Sequence, residues 1–178
     1  IHLIQFANLF KDGEKISMST RKGEYVELNE LRDEIGNDAI NFFYLMKNKD
    51  QHLDFDLNVA ITQNKNNPVY YIQYAHARIE KILAEVNAYQ DKDYDLESLN
   101  NLYEKELITT LINFEDISIK TIVGLQPNVM AYYLQKLSQE FHSYYANVKI
   151  LNNDDMNYSR IHLIAAVQKV IRCGLGLL

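Results

Sequence analysis

Residues 67–79 read NPVYYIQYAHARI, and the period of this stretch decides what kind of fold the chain can adopt. Wound at about 100° per residue, it runs on into KILAEV and gathers Val69, Ile72, Ala75, His76, Ile79, Ile82, Leu83 and Val86 on one broad side. Pro68 has no N–H to lose and a φ that is already helical, so it suits a first helical position. The wheel turns Tyr70, Tyr71 and Tyr74 the other way, with Arg78 and Lys81 among them. Rings and cations on the outer face of a soluble helix call for a reason beyond the core. His76, on the apolar side, reads as a core histidine.

The same period persists to the end of the chain. Beyond Pro68 only one further Pro and three further Gly occur, and stripes of 3.6-residue spacing dominate. Helices are expected over 68–89, over 98–124 with a break near Asn113–Asp116, over 127–151, and from after NNDDMN to about 173. QDKDYDLESLN reads as a polar linker. Four or five helices on short loops make an antiparallel bundle, so the fold is expected to be mainly α. In the 127–151 helix Met130, Tyr133, Leu134, Leu137, Phe141, Tyr144, Val148 and Leu151 form the core stripe. Beside it run Ser138, His142, Tyr145 and Lys149, which place a ring, a cation and two hydrogen-bonding groups along one edge. Rings that stack and cations that meet phosphate are the equipment for unstacked bases of single-stranded RNA. A further helix covering half-buried tyrosines would account for the same pattern without RNA.

Residues 1–65 have another character and are expected to form a small α/β unit ahead of an all-helical domain over 66–178. HLIQFANLF and EYVEL read as extended stretches around the polar loop KDGEKISMSTRKG. Asn29 is expected to cap a short helix that Gly36 ends, and Asn37 to cap a second with Ala39, Phe42, Phe43 and Met46 on one face. QHLDFDLNVA is read as a connection. The loop sets Lys11, Lys15, Arg21 and Lys22 around Ser17, Ser19 and Thr20, hinged by Gly13 and Gly23. It lacks the spacing of a P-loop, although cations and hydroxyls on a loop could stabilise a pyrophosphate leaving group. His52 with Asp54 and Asp56 invites a metal, but without a fourth ligand or a calcium-loop pattern none is expected.

At 178 residues, 47% hydrophobic and 24% charged, the chain has an ordinary globular composition. No apolar run approaches the roughly 18–20 residues of a membrane span, so no membrane partner is expected. The one cysteine, Cys173, excludes an internal disulfide and reads as a packed thiol of a cytoplasmic protein. The start shows no signal peptide and no initiator Met, as though cut from something longer. A net charge of −6 argues against broad electrostatic binding of nucleic acid, so any RNA contact must rest on a local patch.

Taken in order, SMSTRKGEYVEL, GNDAINFFYLM, HLDFDL, NPVYYIQYAHARI, FHSYYANVKIL and RIHLIAAVQKVIRCGLGLL resemble the arginyl-tRNA synthetases along essentially the whole chain. The resemblance is to the later part of that family. It implies that residues 1–65 are the end of a class I catalytic domain and that residues 66–178 are a helical anticodon-binding domain. The parent would join arginine to tRNA(Arg) with ATP, as its Mg complex, through an arginyl-adenylate. Met18, Ser19, Thr20 and Gly23 match the signature loop that closes over ATP, and Arg21 and Lys22 would face the pyrophosphate. Ser17 and Thr20 stand where the family's loop lysines are usual. Asp38 and Ala39 match its Asp-Ala signature, followed here by Ile40 and Asn41. Tyr71, Tyr74 and Tyr145 match tyrosines that meet the anticodon loop, with Arg78 and Lys149 beside them. The family's early His-containing ATP signature does not occur in this chain. The chain alone is therefore expected neither to hold a cofactor nor to activate arginine. The equivalent domain of another class I synthetase and a helical protein-interaction module are the alternatives.

Overall fold

A computed structural model of the protein describes residues 7–16, 27–86, 88–151 and 156–178. The signature-loop positions Met18, Ser19, Thr20, Arg21, Lys22 and Gly23, and most of the expected EYVEL strand, lie outside the described residues.

Strand β1 (Ala7–Lys11) pairs antiparallel with β2 (Glu14–Lys15) across a two-residue Asp12–Gly13 turn. Both turn residues have positive φ, at 55° and 79°. Asp-Gly suits this geometry because Gly has no Cβ to clash and Asp tolerates the left-handed region better than most residues. Asn58 Nδ2 donates to Asp12 Oδ1 at 2.8 Å and holds the turn in place. The first part of the expected polar loop is thus a tight hairpin. Helix α1 (Leu28–Ile35) is capped not by Asn29 but by Glu27, in a reciprocal box with Glu30, and it ends at Gly36. Helix α2 (Asn37–Leu45) has Gly36, not Asn37, at its cap position. The Asn37 side chain instead accepts from Arg32 Nε.

The segment expected to be a mere connection holds strand β3 (Leu53–Asp56) and helix α3 (Leu57–Ile61). Strand β3 joins β1 in parallel, giving the order β2-β1-β3 with α1 and α2 as the crossover. Leu53 and Phe55 are buried while Asp54 faces out, the period-2 alternation of a half-buried strand. Both carboxylates of the supposed metal pair have structural partners. Asp54 accepts from Asn8 Nδ2, and Asp56 caps α3 through Asn58 N and Val59 N.

Helix α4 (Pro68–Glu85) starts on Asn67, whose Oδ1 accepts from Val69 N and Tyr70 N while its Nδ2 donates to the Ala60 carbonyl. A cap of this kind is worth about 1 kcal/mol. Helices α5 (Leu102–Ile112) and α6 (Phe114–Val123) break at Asn113, as expected. They are followed by α7 (Pro127–Asn147) and α8 (Tyr158–Leu177). Helices α4, α5, α7 and α8 pack against one another, with α6 on α7.

The shared core includes Ile72, Ala75 and Ile79 from α4, Leu107 from α5, Leu134, Leu137 and Phe141 from α7, and Ile164, Val167 and Ile171 from α8. Ala39 and Phe42 of α2 join it, whereas Ile40 turns to a smaller core around β1 and β3. Helix α2 therefore serves both cores, and Ile35 at the end of α1 packs against both as well. Cys173 is exposed, correcting the packed-thiol expectation, because Ile171 and Gly174 take the inward positions of that turn. A Cβ on Gly174 would come within 2.7 Å of Leu134 Cδ2, so this glycine allows α8 its close approach to α7. No helix among the described residues is long and apolar enough to cross a membrane.

Candidate nucleic-acid interface

The tyrosines of α4 and α7 divide by helix face, and the divide is sharp in α7. Tyr144 is fully buried, while its neighbour Tyr145 is 42% exposed. On α4 Tyr74 is 41% exposed, and Tyr70 and Tyr71 are half-buried. Core packing brings α4 and α7 side by side, so residues two helices apart in sequence meet along one seam.

Arg78 sits at the centre of that seam. Its guanidinium carbon lies 4.4 Å from the Tyr74 ring centroid and 4.3 Å from that of Tyr145. A delocalised cation is drawn to the negative face of each ring. Its Nη2 donates to the Tyr74 hydroxyl, and its Nη1 lies 3.2 Å from His142 Nδ1. His142 Nε2 is 3.2 Å from the Tyr71 carbonyl oxygen. These partners dictate the proton's place. A guanidinium only donates and a carbonyl only accepts, so Nδ1 must be bare and Nε2 must carry the hydrogen. Burial, chiefly, pushes the His142 pKa down; Arg78 adds to that, and the hydrogen bond to Tyr71 partly opposes it.

The rings form a connected series. Tyr71 lies 4.2 Å from His142, Tyr74 stacks on His142 at 5.5 Å, and Tyr70 stacks on Tyr74 at 6.0 Å. Burial raises the pKa of Tyr71 while Arg78 lowers it. Beside Arg78 opens a groove of about 660 Å³, a volume within the usual range for small-ligand clefts. Tyr74, Arg78, Lys81, Tyr145 and Lys149 line its polar side, Ile82, Val148, Ile150 and Leu151 its apolar side, and Glu85 is its one carboxylate among the described residues. Among the described residues Arg78 pairs with no carboxylate.

The structure thus gathers Tyr71, Tyr74, Arg78, Tyr145 and Lys149 from two separate stretches. Two members of the row beside the core stripe belong elsewhere. Ser138 is fully buried, and its hydroxyl has no hydrogen-bond partner among the described residues; His142 is buried beneath Arg78. The lateral position of that row on the wheel becomes interior because α4 covers it. His76 is half-buried rather than core, and it lines a separate groove with Glu80, His162, Lys169 and Arg172. Sequence reading placed His142 near Tyr145 but missed its contact with Arg78, since no helical period links residues on different helices. Lys81, named only as a surface cation, also belongs to the groove. Among the described residues no group of three or more His, Cys, Asp or Glu is arranged to hold a metal.

The helical bundle thus presents exposed rings and cations along one seam, and comparison with known proteins bears on that form directly. Residues 72–178 match the family model of the DALR anticodon binding domain, and the chain belongs to that family. Along its whole length it is similar to an arginine–tRNA ligase of Coxiella burnetii, at 47% identity over 185 residues covering 32% of that relative. One from Vesicomyosocius okutanii is 46% identical over 179 residues, again across the whole chain and 31% of the relative. The chain therefore spans about a third of the length of these relatives. A solved structure of an arginyl-tRNA synthetase from Campylobacter jejuni superposes with a TM-score of 0.84 at 30% identity, covering 98% of this chain and 38% of that one.

Proposed function

We propose that this chain carries the anticodon-loop contact of a longer arginine–tRNA ligase, with tRNA(Arg) as its partner. Tyr74 and Tyr145 receive unstacked bases on their open faces, Tyr71 flanks them, and Arg78 and Lys149 meet the phosphates. One observation carries the reading: two exposed phenol rings from different helices share a guanidinium that, among the described residues, no carboxylate neutralises. A cation left in that state keeps its charge for an outside anion, and rings tied by cation–π contact are ordered before a base arrives. The net charge of −6 limits counterion release, so stacking supplies most of the affinity and the dependence on salt is shallow.

In the longer cytoplasmic parent, residues 1–65 close the catalytic domain and residues 66–178 form the binding domain. Residues Met18–Gly23, with Arg21 and Lys22, serve ATP and its pyrophosphate there, and L-arginine enters through parts of the parent not present here. The family match that begins at residue 72 supports the second unit. Titration of the chain with an arginine-tRNA anticodon stem-loop and with an unrelated stem-loop tests the reading. Preferential binding of the first is expected; equal binding of both removes it.

A further inference from the structure

The pairing beneath Arg78 has a stricter logic than cation–π contact requires. Guanidinium over a ring can rotate in its plane at little cost, because the attraction is to the ring's face and not to an atom. Here the rotation is stopped at two points, by Tyr74 hydroxyl on Nη2 and by His142 Nδ1 on Nη1. The imidazole is in turn stopped by the Tyr71 carbonyl on Nε2 and by the Tyr71 ring at 4.2 Å. Only one protonation state of the imidazole satisfies both of its neighbours.

We propose that His142 is a positioning residue, whose bare Nδ1 holds the Arg78 guanidinium between the Tyr74 and Tyr145 rings in the orientation that meets RNA. This rests on the RNA-binding reading above and adds a residue and a control to it. A proton on Nδ1 would set N–H against N–H and place two cations in contact, so Arg78 must leave the site or turn away from the imidazole. The groups that face His142 from α4 are Tyr71, Tyr74 and Arg78; Tyr145 lies one turn along its own helix. Among the described residues no carboxylate from α2, α5, α6 or α8 hydrogen-bonds or ion-pairs with it, so nothing offsets the added charge. Lowering the pH therefore weakens RNA binding at this seam. General electrostatics has the opposite sign, since an acidic protein sheds negative charge as the pH falls and so repels phosphate less.

The test measures affinity for the anticodon stem-loop at about pH 7.5 and at a pH below the lowered folded value of His142, which nitrogen NMR titration of the free protein locates. Wild-type protein is expected to lose about tenfold in affinity on acidification, the scale of a charge-assisted hydrogen bond. His142→Asn retains an acceptor oxygen near the Nδ1 position but does not titrate. It should bind within about threefold of wild type at the higher pH and gain affinity as the pH falls. His142→Phe keeps a ring against Tyr71 and Tyr74 without any acceptor and should weaken binding about tenfold at both pH values. The same pH trend in wild type and His142→Asn overturns the proposal, as does wild-type affinity in a folded His142→Phe. A readout without RNA separates this idea from the one beneath it: nitrogen NMR of the free protein. The Nε2–H tautomer should appear at neutral pH, and the Arg78 side-chain signals should move with the titration of His142. A Nδ1–H tautomer, or Arg78 signals indifferent to that titration, sinks the positioning role. If both NMR results hold and no stem-loop binds at any pH, the RNA reading fails and His142 orients Arg78 for nothing.

Discussion

Two arginines in this bundle have opposite surroundings. Arg160 on α8 reaches Glu104 on α5, with Nε to Oε1 at 2.8 Å and the Glu104 side chain wholly buried. The other oxygen of Glu104 accepts from Asn101 N in the capping box of α5, and Arg160 Nη1 donates to the Lys149 carbonyl. Here a cation is spent on an internal anion and staples three chain segments together. Among the described residues Arg78 meets the Tyr74 and Tyr145 rings, the Tyr74 hydroxyl and the His142 imidazole, and no carboxylate. The tyrosines divide in parallel. Tyr133 donates to the Thr110 carbonyl at 3.0 Å, and burial, then Glu140, pushes its pKa up to about 12. Tyr144 is buried outright and its pKa raised further, first by burial and then by Glu104, while Tyr74 and Tyr145 stay open. The same residue types make a scaffold where their charges cancel and an open surface where they do not.

The largest break in that contrast should come from Arg160→Ala. It leaves Glu104 buried and uncompensated, and chemical denaturation should show a loss of about 3–5 kcal/mol. The Lys149 carbonyl is released as well, so RNA affinity should fall with stability. Next, Tyr74→Ala and Tyr145→Ala should each remove about 1–3 kcal/mol of stem-loop affinity, read by titration. Their unfolding free energies should change by no more than about 1 kcal/mol, because half-open rings contribute little to the core. Equal losses of folding and affinity would mean that these tyrosines are scaffold like Tyr144.

A smaller effect concerns acid. His142 binds its proton more weakly folded than unfolded, so its contribution to stability is complete above the ordinary value of 6.5. That contribution drains away as the pH drops from there through the lowered folded value. Denaturation midpoints of wild type and His142→Asn should diverge in that window, and parallel curves would contradict the shift. The smallest effect is expected from Tyr144→Phe. The Tyr144 hydroxyl is buried without a partner among the described residues, so its removal should leave stability within about 1 kcal/mol, neutral or improved. A loss well beyond that would reveal a hydrogen bond that the contrast between the two regions leaves out.

The helices were legible because burial on one side of a helix imposes a period that needs no knowledge of the partner. The eight residues assigned to the core stripe over 127–151 are all buried or half-buried, although the helix ends at Asn147, and the break at Asn113 stands where the pattern falters. The front of the chain was read less well. LDFDL alternates as a strand should, yet a four-residue strand has meaning only once β1 lies beside it. The Asp-Gly pair in KDGEK carried a hairpin signal that the surrounding cations obscured. At the seam, the wheel placed Tyr74 and Arg78 outward and set Tyr145 beside the core stripe. It could not show that Arg78 lies between rings from two helices, nor that His142 is covered.

The sequence by itself determined the bundle, the helix start at Pro68 and the outward phenols of α4, because each depends on residues within a turn or two of one another. The meeting of Tyr74, Arg78, His142 and Tyr145, and the single protonation state it imposes on His142, were decided only by the tertiary structure. Hydrogen-bond polarity and cation–π geometry act across space between groups 64 or more residues apart, and no local pattern encodes that distance.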